Sequence, residues 1–254
     1  GSGSAAVGQL QRSGNATTAI AAQWIGEHAA RPFFYLLHLF EPHSPYEPAE
    51  PFRSKYRDRY DGEIATVDAI LGEFLEGLRR TGVYDRALII VVSDHGEALG
   101  DHGEPEHGIF VYRETIHVPL LVKLPRGDRK GETVEAPVGL IDIVPTVAEF
   151  TGLTLPAAMQ GRSLFNTEGG ARRVYSESLY PRIHLGWSEL RSLVDARYHY
   201  IEAPRAELYD VANDPAETRN VIGDERRVAS RMREELARHG TEIDSPQTID
   251  PEEA

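Results

Sequence analysis

Ala87 to Gly108 reads ALIIVVSDHGEALGDHGEPEHG. Its first six residues, Ala87-Leu88-Ile89-Ile90-Val91-Val92, form an unbroken apolar run rich in β-branched side chains. Such a run predicts a strand buried on both faces, as in a parallel sheet covered by helices. It breaks abruptly into Ser93-Asp94-His95-Gly96-Glu97. Open α/β sheets place their ligand sites just past the carboxyl ends of such strands. The loop then supplies the carboxylates Asp94, Glu97, Asp101, Glu104 and Glu106 and the imidazoles His95, His102 and His107. Interspersed glycines let its backbone turn sharply. A mixed carboxylate and imidazole set is what a divalent metal requires.

Upstream, Phe33 to Phe40 is a second apolar run, predicting another buried strand, and it ends in Glu41-Pro42-His43-Ser44-Pro45-Tyr46. In a parallel sheet the two histidine-bearing loops would share an edge. Thr17 to Ala30 has a helical pattern with Ile20, Trp24 and Ile25 on one face and Asn15 or Thr17 as cap. A longer helix spans Tyr60 to Arg80, where Ile64, Val67, Leu71, Phe74, Leu75 and Leu78 recur at helical spacing until Gly82. Downstream, Ile116 to Leu124 predicts a third strand with an edge or bulge at Pro119, and Thr146 to Thr151 a short helix closed by Gly152. After about Arg172 the pattern changes to short strands at 174–178, 190–194, 198–202 and 207–210, then a charged amphipathic helix over 224–239. The expected fold class is α/β: a mostly parallel sheet flanked by helices, with a small C-terminal antiparallel sheet and helix. The expected divisions are a flexible lead-in (1–15), the α/β part (16–171), the C-terminal subdomain (172–239) and a disordered tail (240–254).

The chain has 254 residues, no cysteine and a net charge of −13. Disulfides and thiolate-bound zinc are excluded. The acidic balance argues against nucleic acid as a partner, so an anionic substrate must be attracted locally, by a metal, His, Arg or backbone amides. No apolar run is long enough to span a bilayer, and no signal peptide is visible. The start is expected to be a cut inside a longer protein.

Asp94 and His95 are the candidate metal ligands; the alternative is a turn cap beside a surface histidine. His43, held between prolines, suits a general acid or an anion contact, or simply a rigid loop. His102 and His107 are anion contacts or turn histidines, and Arg162 is an anion contact or a solvated charge. Glu97, Asp101, Glu104 and Glu106 read as loop structure or solvated charge. The chain contains no Gly-x-Ser-x-Gly elbow, no phosphate loop, no dinucleotide fingerprint and no His-Glu-x-x-His.

Taken together, Glu41-Pro42-His43-Ser44-Pro45-Tyr46, Tyr60-Asp61-Gly62-Glu63-Ile64 with Asp68, Ser93-Asp94-His95-Gly96-Glu97 and Leu99-Gly100-Asp101-His102-Gly103 resemble the sulfatase family of the alkaline phosphatase superfamily. Val118-Pro119-Leu120, Asp142-Ile143-Val144-Pro145-Thr146, Gly161-Arg162-Ser163-Leu164 and Glu207-Leu208-Tyr209-Asp210 with Asp214-Pro215 and Glu217 extend the likeness over roughly residues 15–222. The resemblance implies hydrolysis of a small anionic ester at one divalent metal (Ca, Mg, Mn or Zn), with Asp94 and His95 as ligands. It implies that His43 contacts the anion and protonates the leaving oxygen, and that His107 stands where many sulfatases carry an anion-binding lysine. His102 resembles a histidine common in the motif. A formylglycine, or a Ser or Thr nucleophile, and the first metal aspartates belong to an N-terminal portion not in this chain, so the fragment itself is expected to be inactive. His95 in place of Asn and His107 in place of Lys open a phosphodiester or phosphonate hydrolase, or a phosphoglycerol-type transferase, as the alternative to sulfate. A non-catalytic interaction module is a third reading. The family favours a periplasmic or extracytoplasmic location.

Overall fold

The computed structural model describes residues 12–166 and 172–239. The predicted tail, and the predicted lead-in up to residue 11, lie outside them. The backbone gathers into two units, one running to Val91 and adding Leu120–Glu132, the other comprising Val92–Pro119 and the chain from Thr133.

In the first unit, α1 (Gly14–His28) starts where the Ser13 hydroxyl accepts from Ala16 N–H. Its buried face is Gly14, Thr18, Ala21 and Ile25, while Ile20, expected on that face, is exposed. The longer helix α2 (Arg59–Arg80) is capped by Asp58, whose Oδ1 accepts from Tyr60 N–H at 2.8 Å. It ends before Gly82, whose φ of +71° suits a residue without Cβ. Ile25, Leu78 and Val83 form the core between these elements, with Phe74, Leu75, Tyr84 and Ile89 around them.

The predicted strand at Phe33–Phe40 is not formed: the segment carries no strand, and Phe34 and Leu36 are 72% and 80% exposed. Exposure still alternates from residue 34 to 39, so one face turns inward, with Tyr35 against Trp24 at 5.2 Å between ring centroids. An apolar run predicts burial, but a strand also needs a ladder partner. The run at Ala87 does give a strand, β1 (Ile89–Val92), half-buried rather than covered on both faces. It pairs with β2 (Leu120–Lys123), which begins only after Pro119. Arg113–Ile116 forms a single helical turn, α3, so the strand expected from Ile116 is shortened.

The second unit holds the C-terminal sheet, with strands where the sequence puts them. β3 (Val174–Ser178), β4 (Leu190–Val194), β5 (Tyr198–Glu202) and β6 (Glu207–Asp210) make an antiparallel sheet in sequential order. Leu193 sits opposite Tyr200, and Tyr200 opposite Leu208. These three face α6 (Arg226–Leu236), which presents Ala229, Met232 and Leu236 at helical spacing. The next residue along each of β5 and β6 points the other way, so Ile201 and Tyr209 join Leu190 and Val111 in a second cluster. The sheet therefore has two packed faces, and the second one receives the stretch that follows the histidine loop.

Two further motifs stitch this unit. Asp142, fully buried before α4 (Ile143–Thr151), accepts from Gly139 N–H at 2.7 Å and Arg162 N–H at 2.8 Å and pairs with the Arg172 guanidinium. Thr146 Oγ1 accepts from Leu164 N–H at 2.8 Å. A Cβ on Gly161 would lie 2.0 Å from the Ile141 carbonyl oxygen, so only glycine fits there. Between β3 and β4 lies α5 (Tyr180–Leu185). Among the described residues no helix is long and apolar enough to cross a membrane.

Leu193 and Leu208 are both fully buried under α6. Leu208→Ala should cost about 2–5 kcal/mol in urea unfolding, whereas Arg231→Ala on the exposed side of α6 should stay within about 0.5 kcal/mol.

Candidate active site

The loop from Ser93 to Gly108 is shaped by backbone contacts. A Cβ on Gly96 would sit 2.0 Å from the Glu114 carbonyl oxygen, and Gly96 N–H donates to Thr115 O at 2.9 Å. Ala98 N–H donates to Glu106 O at 2.9 Å, which closes the neck of the loop and brings Glu97 beside His107. The tip turns through positive φ at Leu99 (53°), Gly100 (100°), His102 (50°) and Gly103 (83°). Glu104, 2% exposed, accepts from Ile109 N–H at 2.7 Å and Phe110 N–H at 2.9 Å and so fixes the exit.

Within this frame three side chains converge. His95, Glu97 and His107 each offer a ligand atom, and these atoms all lie within 4.8 Å of one another. The His95 and His107 rings stack at 4.0 Å with 26° between their planes. His95 Nδ1 donates to Gly96 O at 3.0 Å. His107 Nδ1 meets Glu97 Oε1 in a very short contact, and the Glu97 side chain is almost wholly buried. Asp94 is mostly exposed; its Oδ1 accepts from His95 N–H at 3.1 Å and lies 3.8 Å from His95 Nε2. The donor set, imidazole with carboxylate, fits a borderline divalent ion.

His102 is placed differently. Its Nδ1 meets Glu114 Oε1 at 2.6 Å, its Nε2 meets Glu217 O at 3.2 Å, and its ring stacks on Tyr112 at 3.8 Å. Both oxygens are acceptors, so both ring nitrogens must donate, and only the imidazolium has two N–H groups. Burial opposes that charge, yet Glu114 and the Glu217 carbonyl outweigh it and hold the pKa above the ordinary histidine value. Glu217 also accepts from Arg113 N–H at 2.8 Å and His199 Nδ1 at 2.5 Å. Arg162 is exposed, and its backbone N–H donates to Asp142 Oδ1 at 2.8 Å.

His43 belongs to the first unit. Its Nδ1 donates to Ser44 O at 2.7 Å, and its ring lies 4.4 Å from that of Phe40. Its loop is anchored on both sides: Glu41 accepts from Gly14 N–H at 2.8 Å, and buried Glu63 accepts from Glu47 N–H at 2.8 Å. Burial pushes the Glu63 carboxyl above the usual carboxylate range. A Cβ on Gly62 would lie 2.8 Å from Pro48, so the loop packs directly on α2.

The Sulfatase family profile matches residues 8–153, more than half of the chain. The chain belongs to the sulfatase family. The profile of the N-sulphoglucosamine sulphohydrolase C-terminal region matches residues 100–242 of this sulfatase-family chain. Arylsulfatase K of Xenopus laevis is 29% identical over 184 residues, covering 66% of this chain and 34% of its own length. An N-acetylglucosamine-6-O-sulfatase of Bacteroides thetaiotaomicron is 28% identical over 181 residues, covering 66% of this chain and 32% of its own. Among solved structures, a phosphonate monoester hydrolase from Silicibacter pomeroyi matches with a TM-score of 0.73 at 25% identity, over 87% of this chain and 59% of that one. The fold is thus alkaline phosphatase-like, and the chain spans about a third of the length of these curated relatives.

The residue that sequence reasoning passed over is Glu97, taken for loop structure or solvated charge. Its spacing of ten from His107 matches neither helix nor strand periodicity; only the closed neck makes the two neighbours. Glu104, by contrast, does serve loop structure.

The raised pKa of His102 has a signed consequence. Its stabilising charge is fully present below the unfolded value near 6.5 and fades as pH rises through the higher folded value. The unfolding free energy from urea titrations should therefore decline as pH rises above about 6.5. Glu114→Gln should flatten that dependence.

Proposed function

We propose that this chain is part of a metal-dependent sulfuric ester hydrolase acting on a small anionic ester. The observation that carries the reading is the convergence of His95, Glu97 and His107 in a glycine-shaped loop directly after β1. Asp94 and His95 would hold the divalent ion, which would supply polarisation of the ester's oxygens. His43, its Nδ1 committed to Ser44 O, works through Nε2 as the acid for the leaving oxygen. His107 helps offset charge on the transferred group. The exposed Arg162 is available to the substrate's anion, and His102 supports substrate by holding the loop tip between Glu114 and Glu217.

On this reading the nucleophile, a formylglycine or a hydroxyl, is supplied by a portion of the protein outside this chain. Alone, the chain is inactive. The same reading puts the protein outside the cytoplasm.

A second reading, phosphonate or phosphodiester hydrolysis, is favoured by His95 where many sulfatases carry Asn and by the match to the phosphonate monoester hydrolase. The longer protein should be assayed on paired aryl sulfate and aryl phosphonate substrates. Faster turnover of the sulfate supports the first reading, faster turnover of the phosphonate the second, and turnover of neither a non-catalytic role. In the active protein His43→Ala should lower kcat by about 10²–10⁴-fold, with the larger loss on the substrate whose leaving alcohol is the weaker acid.

A further inference from the structure

The second packed face of the C-terminal sheet carries a cavity of about 270 Å³, wholly within the second unit. Its walls come from the stretch after the histidine loop, from the segment between β3 and β4, and from β4 to β6. Phe110, Tyr112 and Trp187 supply aromatic rings, and Leu190 and Ile201 supply aliphatic wall. Glu207 is the only charged side chain among the described residues that line it. Sites for drug-sized ligands run from about 300 to 1,000 Å³. The space here suits something smaller, about one ring with a short chain.

Glu207 is held in place as a carboxylate. The Tyr112 and Tyr209 hydroxyls both donate to its Oε2, each at 2.8 Å. Burial, and after it Glu207 itself, pushes both phenols above the ordinary tyrosine value, so they stay protonated and keep donating. Both meet the same oxygen, which leaves Oε1 to a ligand. The Tyr112 plane is set by the His102 ring stacked on it at 3.8 Å, and Phe110 lies 5.7 Å from it. Trp187 is 59% exposed, and its backbone N–H donates to Pro181 O at 3.0 Å. Aromatic faces attract a cation, and a carboxylate in an apolar wall attracts it more strongly than one in water. A neutral apolar occupant would strip water from Glu207 and put no charge in its place, which is costly. The net charge of −13, which opposes an approaching anion, draws a cation in.

We propose that this cavity binds a small organic cation, an ammonium group on an apolar or aromatic body, with Glu207 taking the ammonium and Trp187 covering the body. The site is separate from the groups assigned above to the ester and does not rest on the hydrolase reading. The test uses the whole 254-residue chain, with 2-phenylethylammonium as the probe and 2-phenylethanol and 3-phenylpropanoate as its neutral and anionic counterparts. Binding is followed near neutral pH through the indole N–H resonances of the two tryptophans, Trp24 and Trp187, assigned with Trp187→Phe. The ammonium should bind saturably and shift the Trp187 resonance but not that of Trp24. The alcohol should bind at least about 10-fold more weakly, and the anion not at all. Glu207→Gln should lower the affinity for the ammonium about 10–100-fold, to that of the alcohol. Trp187→Ala should lower it about 3–10-fold.

No saturable binding of the ammonium, or a shift at Trp24 in place of Trp187, overturns the proposal. So does an alcohol that binds within threefold of the ammonium, or an anion that binds as well as either. A folded Glu207→Gln protein that keeps the ammonium within threefold of the wild type removes Glu207 from the site and overturns it too. The three probes on the wild type decide the question without any variant. If the longer protein hydrolyses neither ester while the ammonium binds at Trp187, the cation site stands and the hydrolase reading falls. If it hydrolyses one of them while the ammonium does not bind, the hydrolase reading stands and the cation site falls.

Discussion

Gly96 has no room for a side chain. The Glu114 carbonyl occupies the space where its Cβ would be, and the neighbouring Thr115 carbonyl takes its N–H. This close approach brings the start of the histidine loop against α3 and fixes the direction in which His95 and Glu97 leave the backbone. The rest of the site depends on it. With the backbone held there, the bond from Ala98 to Glu106 can close the neck, and Glu97 meets His107 across it. Any larger residue would have to displace main chain rather than the end of a flexible side chain, which packed interiors resist.

Carboxylates are ordinarily kept in water. Here several of them are spent inside, each on a defined donor. Glu104 holds two backbone amides, Glu217 holds one amide and His199, and Glu97 holds His107. Asp142 does the same for Gly139, Arg162 and Arg172. A buried carboxylate is tolerated when its lone pairs are satisfied. These residues therefore act as staples for irregular backbone, which has no ladder or helix to satisfy its own groups. Glu97, Asp142 and Glu217, which lie in the stretches that resemble the sulfatase family, are among these staples.

Three histidines in one loop show how placement divides labour. His102 spends both nitrogens on Glu114 and Glu217, and its raised pKa follows from those acceptors. His95 and His107 each place Nδ1 on an oxygen of their own loop, Gly96 O and Glu97 Oε1. The same side chain is a fastener at one position and a candidate ligand at another. The difference lies in which oxygens the fold brings within reach.

By itself the sequence determined the elements whose signal is local. The four C-terminal strands, α2 with its Gly82 stop and the helix before Gly152 all follow from periodicity, caps and positive-φ glycines. The sequence also placed Asp94 and His95 directly after a strand. Tertiary structure decided what depends on distant partners. The run at Phe33–Phe40 has strand composition but no ladder, because hydrogen-bonding partners are not written in the run itself. Ile20 has helical spacing but faces outward, because which stripe is buried depends on what packs against it. Glu97 gained its role from His107, ten residues away, because a loop has no period from which contact can be read. Only the closed backbone at Gly96 and Ala98 sets that distance.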